Sequence, residues 1–256
     1  MTLRVLLLGG TGEARSLASR LAGRAEFDVV SSLAGRVADP ARPAGETRIG
    51  GFGGSAALAA WLTTERIGAV IDATHPFAAG ITASAVTAAA QAGLPLLVLR
   101  RPGWIAGPGD DWHRVPSMAP AAAALPGERV FLTTGRNSIA AFAADDRRWF
   151  LLRSVDPPVP PAPPRLRVLL ARGPFTVDGE LELMRRHAID VLVARDSGGH
   201  MTAAKLTAAR RLGLPVVMVD RPDAPDVPAV TTIEEAEAWL AHADGGAAFR
   251  ADGCTP

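Results

Sequence analysis

The chain has 256 residues, 48 % hydrophobic and 21 % charged, which is enough apolar matter for a buried core and too much for disorder. A formal net charge of +1 gives no global field to draw nucleic acid or an anionic membrane, and no apolar run is long enough to span a bilayer. The single cysteine, Cys254, excludes an intramolecular disulfide framework. The opening MTLRVLLLGG reads as a first strand and not as a signal peptide, so a soluble cytoplasmic protein is expected.

The first hundred residues alternate short β-rich runs with helical ones. Strands are expected at Arg4–Leu8, Phe27–Ser31, Ala69–Ala73 and Leu96–Leu99, and helices at Gly12–Leu21, Ser55–Thr64 and Ala79–Ala92. This alternation implies a parallel sheet covered by helices. The segment RPGWIAGPGDDWHRV (101–115) is aperiodic and reads as the crossing between two domains. Strands resume at Val130–Thr133, Trp149–Arg153, Leu166–Ala171, Val191–Ala194 and Val216–Val219. Helices are expected from Ser138 and over Asp178–His187, Thr202–Leu212 and Ile233–His242. DPPVPPAPPR (156–165) reads as an extended surface loop, since proline cannot donate to a sheet. The expected organisation is an α/β chain with a first domain over 1–102, a second over 103–242 and a flexible tail over 243–256.

An internal echo supports two related halves. TASAVTAAAQAGLP (82–95) and TAAKLTAARRLGLP (202–215) agree at eight of fourteen positions at an offset of 120, and the echo runs on into a strand and Arg-Pro. Extended upstream, the same offset sets Thr74-His75-Pro76-Phe77 against Ala194-Arg195-Asp196-Ser197. Both turns then lie where a parallel sheet presents its ligands, at the C-terminal edge.

Leu8-Gly9-Gly10-Thr11-Gly12-Glu13 follows the first strand. Its glycines permit a tight turn and close approach of backbone N–H groups to a pyrophosphate at the helix start. Arg15 stands where the third glycine of the full fingerprint would fall. The end of the second strand, Ser31 to Arg36, holds no carboxylate for a ribose; hydroxyls such as Ser32 and the cation Arg36 suit a 2′-phosphate. In Asp72-Ala73-Thr74-His75-Pro76-Phe77, His75 is the least unsuitable side-chain candidate for proton delivery, with water as the alternative, and Phe77 could pack on a nicotinamide.

In the second half, Thr133-Thr134-Gly135-Arg136-Asn137-Ser138, Ala171-Arg172-Gly173 and Arg195-Asp196-Ser197-Gly198 each put an arginine with glycine or hydroxyl groups at a strand end. Together they form a cationic rim for several carboxylates or phosphates. Lys205 is the only lysine, the other 26 cationic residues being arginine. An ammonium near a helix N-terminus opposes the helix dipole and calls for an anionic neighbour. The absence of Tyr and scarcity of aromatics argue against a nucleic-acid platform, and the five scattered His and one Cys give no metal-ligand spacing.

The ordered set LLLGGTGEA (6–14), SLAGR (32–36), GGFGG (50–54), DATHPFA (72–78), RPGW (101–104), TTGRNS (133–138), ARGPF (171–175), DSGG with Lys205, and VDRP (219–222) resembles the precorrin-6A reductase family of corrin biosynthesis. The resemblance reaches from residue 6 to 222. It departs at Arg195, where members often carry lysine, which bears on a titratable amine there but not on anion binding. It implies two Rossmann-like domains with mainly parallel sheets and a ligand cleft between them. It also implies NADPH-dependent hydride transfer to one double bond of a polycarboxylate tetrapyrrole. Gly9, Gly10, Thr11, Gly12, Glu13, Ser32, Arg36, Gly51, Thr74, His75, Pro76 and Phe77 would then hold the cofactor. Thr134, Gly135, Arg136, Ser138, Arg172, Gly173, Arg195, Ser197, Gly198 and Lys205 would hold the substrate, Lys205 by gripping a carboxylate or by orienting the loop that carries Ser197. No metal, nucleic acid or membrane partner is expected. A monomer is the default, and the sequence leaves oligomeric state open. Whether the substrate is metal-free or already contains cobalt is also open. A short-chain reductase is disfavoured because its Tyr-x-x-x-Lys pair needs a tyrosine. A non-catalytic nucleotide-binding module would use the same glycine turn.

Overall fold

The computed structural model describes residues 2–35 and 43–243. Arg36 and the expected tail beyond Ala243 therefore lie outside the described residues. In chain order the elements are β1 (Leu3–Leu8), α1 (Gly12–Leu21), β2 (Phe27–Leu33), β3 (Glu46–Ile49), α2 (Ser55–Thr64), β4 (Ala69–Asp72), α3 (Ala79–Ala92) and β5 (Leu96–Leu99). There follow β6 (Trp112–Val115), α4 (Met118–Ala123), β7 (Arg129–Leu132), a 3₁₀ helix (Arg136–Phe142), β8 (Trp149–Ser154), β9 (Leu166–Leu170) and α5 (Val177–Arg186). The chain ends with β10 (Val191–Arg195), α6 (Ala204–Leu212), β11 (Val216–Val219), β12 (Ala229–Val230) and α7 (Ile233–Ala243).

Two compact units result, one from residues 1–101 with 224–256 and the other from 102–223. Each is built on a six-stranded parallel sheet. The first has the order β12-β5-β4-β1-β2-β3 and the second β6-β11-β10-β7-β8-β9. Both are Rossmann-like α/β layers.

In the first unit β1 is apolar on both faces, as a central parallel strand must be. Val5 and Leu7 pack with Leu17 and Leu21 of α1 and Leu240 of α7. Leu6 and Leu8 pack on the opposite face with Leu58 and Leu62 of α2 and Ala85 and Ala89 of α3. In the second unit Phe131, Leu151, Leu192 and Met218 pack beneath α5 and α6 through Leu181, Met184, Leu206 and Ala209. The echo Gly-Leu-Pro has a local cause: α3 ends on Gly93 at φ 66° and α6 on Gly213 at φ 63°, left-handed caps that turn the chain into the next strand.

The domain division differs from the sequence expectation at its far end. Residues 224–243 do not join the second domain but return to the first unit. There β12 pairs with the edge of β5 through Ala229↔Val98, and α7 buries Ala236 and Leu240 beside α1. The edge of β5 and the outer apolar stripe of α1 need cover, and no earlier element supplies it. Conversely β6, which lies in the segment expected to be an aperiodic crossing, is the edge strand beside β11. Of these two edge strands only β12 crosses between the units, since β6 falls within residues 102–223 and stays in the second unit's sheet.

The register also corrects the extended echo. Val98 and Met218 are 120 apart, but their partners Asp72 and Ala194 are 122 apart. Thr74 therefore stands level with Asp196, and His75 with Ser197. From strand to paired strand the second half is two residues shorter, yet its connection from β10 to α6 (196–203) is two residues longer than that from β4 to α3 (73–78), because the first turn of the helix is unwound. α3 starts at Ala79, whereas its counterpart Gly199 lies in a turn and α6 starts only at Ala204. The helix expected from Ser138 is a short 3₁₀ helix, and β3, α4 and β12 carry no clear sequence signal.

Candidate functional site

In the first unit the expected residues collect at the C-terminal edge of the sheet. β1 is flanked by β2 and β4, whose connections leave in opposite directions, so the switch point lies between β1 and β4. Thr11 spans it. Its hydroxyl donates to the Ala73 carbonyl (2.8 Å) and accepts the Ala14 N–H (3.1 Å), capping α1. Gly10 has φ 110°, a conformation that side chains resist, and a Cβ there would meet nothing within 4 Å. The turn is thus open above the first N–H groups of α1. Glu13, an acid in that first turn, is paired with Arg101 at 2.7 Å, which offsets the charge it would set against a phosphate.

Ser32 is buried at the end of β2, and its carbonyl accepts the Gly9 N–H (2.9 Å). Among the described residues after β2, Ala34 and Gly35 bring no carboxylate. Gly51 lies in the loop from β3 to α2. Arg48 pins that loop by donating to the Gly50 and Gly51 carbonyls (2.6 and 2.8 Å) while its guanidinium covers the Phe52 ring at 3.9 Å. Buried Asp72 accepts the Thr74 N–H (3.0 Å), which fixes the Thr74–Phe77 turn. His75 Nδ1 accepts the Phe77 N–H (3.2 Å), and the two rings lie 5.8 Å apart. An Nδ1 that accepts assigns the ring proton to Nε2 in the neutral imidazole.

The second unit also gathers its expected residues at the C-terminal strand ends, after β7, β9 and β10. The hydroxyls there are largely consumed by the backbone. Ser138 Oγ donates to the Gly135 carbonyl (2.7 Å), so Thr134 Oγ1 is the donor in the 2.5 Å contact between the two side chains. Arg136 faces Asp156 at 3.6 Å. Arg172 and Gly173 follow β9, and a Cβ at Gly173 would press on the Phe175 ring at 3.3 Å. Arg195 is half-buried at the end of β10, and Ser197 and Gly198 follow it, Gly198 with φ 64°.

Lys205 is buried, 5 % exposed, on the second position of α6. Its Nζ donates to the Thr202 carbonyl (2.9 Å) and lies over the Trp104 ring at 4.9 Å. Its pKa falls from 10.5 to about 7, chiefly through burial, with the Arg153 charge adding to the fall and Glu180 opposing both. Arg153 and Glu180 form a closed ion pair at 2.6 Å, their side chains 8 % and 1 % exposed, with the guanidinium over Phe175 at 3.7 Å.

Sequence reasoning gave no role to Arg153, Glu180, Trp104 or Asp196. Asp196 is buried and receives the Trp104 N–H (2.9 Å) and Arg114 (2.8 Å), while its carbonyl accepts from Arg221 (2.7 Å). The RPGW landmark was the available signal for Trp104. Nothing local marks Glu180, which sits in an ordinary amphipathic helix. Among the described residues no group of three or more His, Cys, Asp or Glu is placed to hold a metal, and no helix is long and apolar enough to cross a membrane.

The fold and strand-end residues define two Rossmann-like α/β units, one with an open glycine turn and one rimmed by arginine. The chain belongs to the precorrin-6x reductase CbiJ/CobK family, whose profile matches residues 4–241. It is 53 % identical over 242 residues to the precorrin-6A reductase of Rhodococcus erythropolis, covering 93 % of this chain and 97 % of that one. It is 51 % identical over 242 residues to the precorrin-6A reductase of Mycobacterium tuberculosis H37Rv, with the same coverage. A solved CobK precorrin-6A reductase superposes with a TM-score of 0.89 at 49 % identity, covering 98 % of this chain and all of that one. Relatives named cobalt-precorrin-6A reductase are 26–28 % identical.

Proposed function

We propose that the protein reduces one macrocycle double bond of metal-free precorrin-6A, using NADPH. The observation that carries this reading is near-full-length identity of about half to precorrin-6A reductases. The drop to 26–28 % for the cobalt-precorrin enzymes favours the metal-free substrate.

The residues of the first unit fit a reduced dinucleotide. The open turn at Gly10 leaves room for a pyrophosphate over the α1 N-terminus, with Gly9, Gly12 and Thr11 shaping the approach and Glu13 neutralised by Arg101. Ser32, with Arg36 beyond it in sequence, meets the ribose side, and the lack of a described carboxylate after β2 favours a 2′-phosphate. Gly51 lies on the loop pinned by Arg48, and Thr74, His75, Pro76 and Phe77 line the β4 side of the switch point. When bound, the cofactor supplies a hydride.

His75 acts here as a neutral hydrogen-bond donor through Nε2. Its Nδ1 accepts a backbone N–H, which leaves Nε2 as the ring atom facing a ligand, and the proton is drawn from water. In the second unit Arg136, Arg172 and Arg195 grip substrate carboxylates. Thr134, Gly135, Ser138, Gly173, Ser197 and Gly198 set the backbone around them.

The test is to mix the purified protein with precorrin-6A and either NADPH or NADH, following the nicotinamide absorbance and the tetrapyrrole spectrum. Turnover with NADPH and weaker turnover with NADH are expected. No turnover of precorrin-6A under conditions where NADPH binds would leave a non-catalytic nucleotide module. Equal use of both coenzymes would remove the 2′-phosphate assignment.

A further inference from the structure

Lys205 has a natural control inside the same chain. At the 120-residue offset its counterpart is Ala85, 1 % exposed in the first unit's core. Packing a helix on a sheet at this position therefore needs only a methyl group. In the second unit the helix start is unwound, and residues 196–203 form a loop without the helical bonds that hold α3 from Ala79. Gly198 and Gly199 adopt φ 64° and 75°. Such a segment must be fixed from outside itself.

Trp104 fixes it at two places. Its backbone N–H donates to Asp196 Oδ1 (2.9 Å) and its indole Nε1 donates to the Gly199 carbonyl (2.8 Å). Lys205 completes the arrangement, with Nζ on the Thr202 carbonyl (2.9 Å) and over the Trp104 ring at 4.9 Å. One ammonium thus ties the loop's end to the residue whose indole holds its middle and whose backbone N–H holds its beginning.

We propose that Lys205 and Trp104 form a latch that holds the 196–203 loop in the conformation that receives the tetrapyrrole, which makes Lys205 a positioning residue and not a carboxylate ligand. The proposal rests on the assignment of the second unit to the tetrapyrrole. It also gives a reason for the only lysine. A guanidinium is a wide fork that stays charged, whereas an ammonium is compact enough to reach one carbonyl and one ring face inside a closed pocket.

The test compares Lys205→Met, Trp104→Leu, Trp104→Phe and the double variant Lys205→Met/Trp104→Leu with the wild type. KM for precorrin-6A is expected to rise about ten-fold in Lys205→Met and Trp104→Leu, while kcat and the KM for NADPH stay within about two-fold. Trp104→Phe keeps a ring face but loses the indole donor and should fall between. The double variant should be no worse than the worse single one, because both break the same latch. Lys205→Met should melt at a higher temperature than the wild type, since it fills the space without a buried charge. An unchanged KM, or a KM loss accompanied by lower melting, overturns the proposal. If the wild type itself does not reduce precorrin-6A, the functional reading fails separately. The latch is then judged by amide exchange in the 196–203 peptide. Faster exchange in Lys205→Met with unchanged exchange in the first unit supports it, and unchanged exchange in that peptide overturns it.

Discussion

Glu180→Gln removes the acid paired with Arg153 in a buried cluster that also includes Lys205. The Arg153–Glu180 contact is 2.6 Å, and with side chains 8 % and 1 % exposed little water is at hand to replace the lost charge. Breaking such a pair from one side costs about 3–5 kcal/mol. Two features of the pocket soften that cost. Glu180 also favours the protonated form of Lys205, so its loss lowers that pKa further and lets Lys205 shed its proton, leaving Arg153 as the uncompensated cation. Arg153 keeps the faces of Phe175 and Phe131, at 3.7 and 5.0 Å, worth roughly 1–2 kcal/mol. A net loss of about 3 kcal/mol follows, read as a lower urea midpoint at unchanged slope for the transition of the second unit. Replacing both partners, Arg153→Met with Glu180→Leu, removes the charge together with its need for a partner and should recover most of that loss. A Glu180→Gln loss below about 1 kcal/mol, or a double variant no more stable than the single one, would refute the claim that this pair is desolvated and mutually dependent.

Lys205 should leave a signature in stability against pH. The folded pKa near 7 lies below the 10.5 of the unfolded chain, so between those values the unfolded state holds the extra proton and stability rises with pH. The penalty is fully present below pH 7. Complete relief is worth up to roughly 5 kcal/mol, and Lys205→Met should abolish the slope, as seen by urea midpoints across that window. Thr11→Val should cost about 1 kcal/mol for the lost cap and weaken NADPH binding in a fluorescence titration, while KM for precorrin-6A changes less. Gly198→Ala puts a Cβ into the Pro102 carbonyl at a positive φ, so a cost of about 1–3 kcal/mol and a raised KM for precorrin-6A are expected, with NADPH affinity as in the wild type. Leu17→Ala, on the fully buried face of α1, should lower stability by about 2–5 kcal/mol without altering coenzyme preference.

Much of the fold was written locally. β1 and β5 are short apolar runs bounded by Gly or Pro, and α1 announces itself by Thr11 followed by an apolar stripe, so period and capping were sufficient. The glycine turn, the Thr74–Phe77 turn and the arginines at strand ends were legible for the same reason, since each follows a recognisable strand. Lys205 was legible as an oddity of composition. Its surroundings were not.

The sequence alone determined the α/β class, the echo between the halves and the residues that end at the C-terminal edge of each sheet, because those depend on spacing over a few residues. Only the tertiary structure decided that β12 returns to complete the first sheet and that β6 takes the edge of the second, since a strand's partner is chosen by open edges and uncovered apolar faces far away in sequence. It likewise decided that Lys205 lies in a closed pocket with Arg153, Glu180 and Trp104. Burial is a property of how α5, α6 and the Trp104 segment pack together, and no window of residues contains that information.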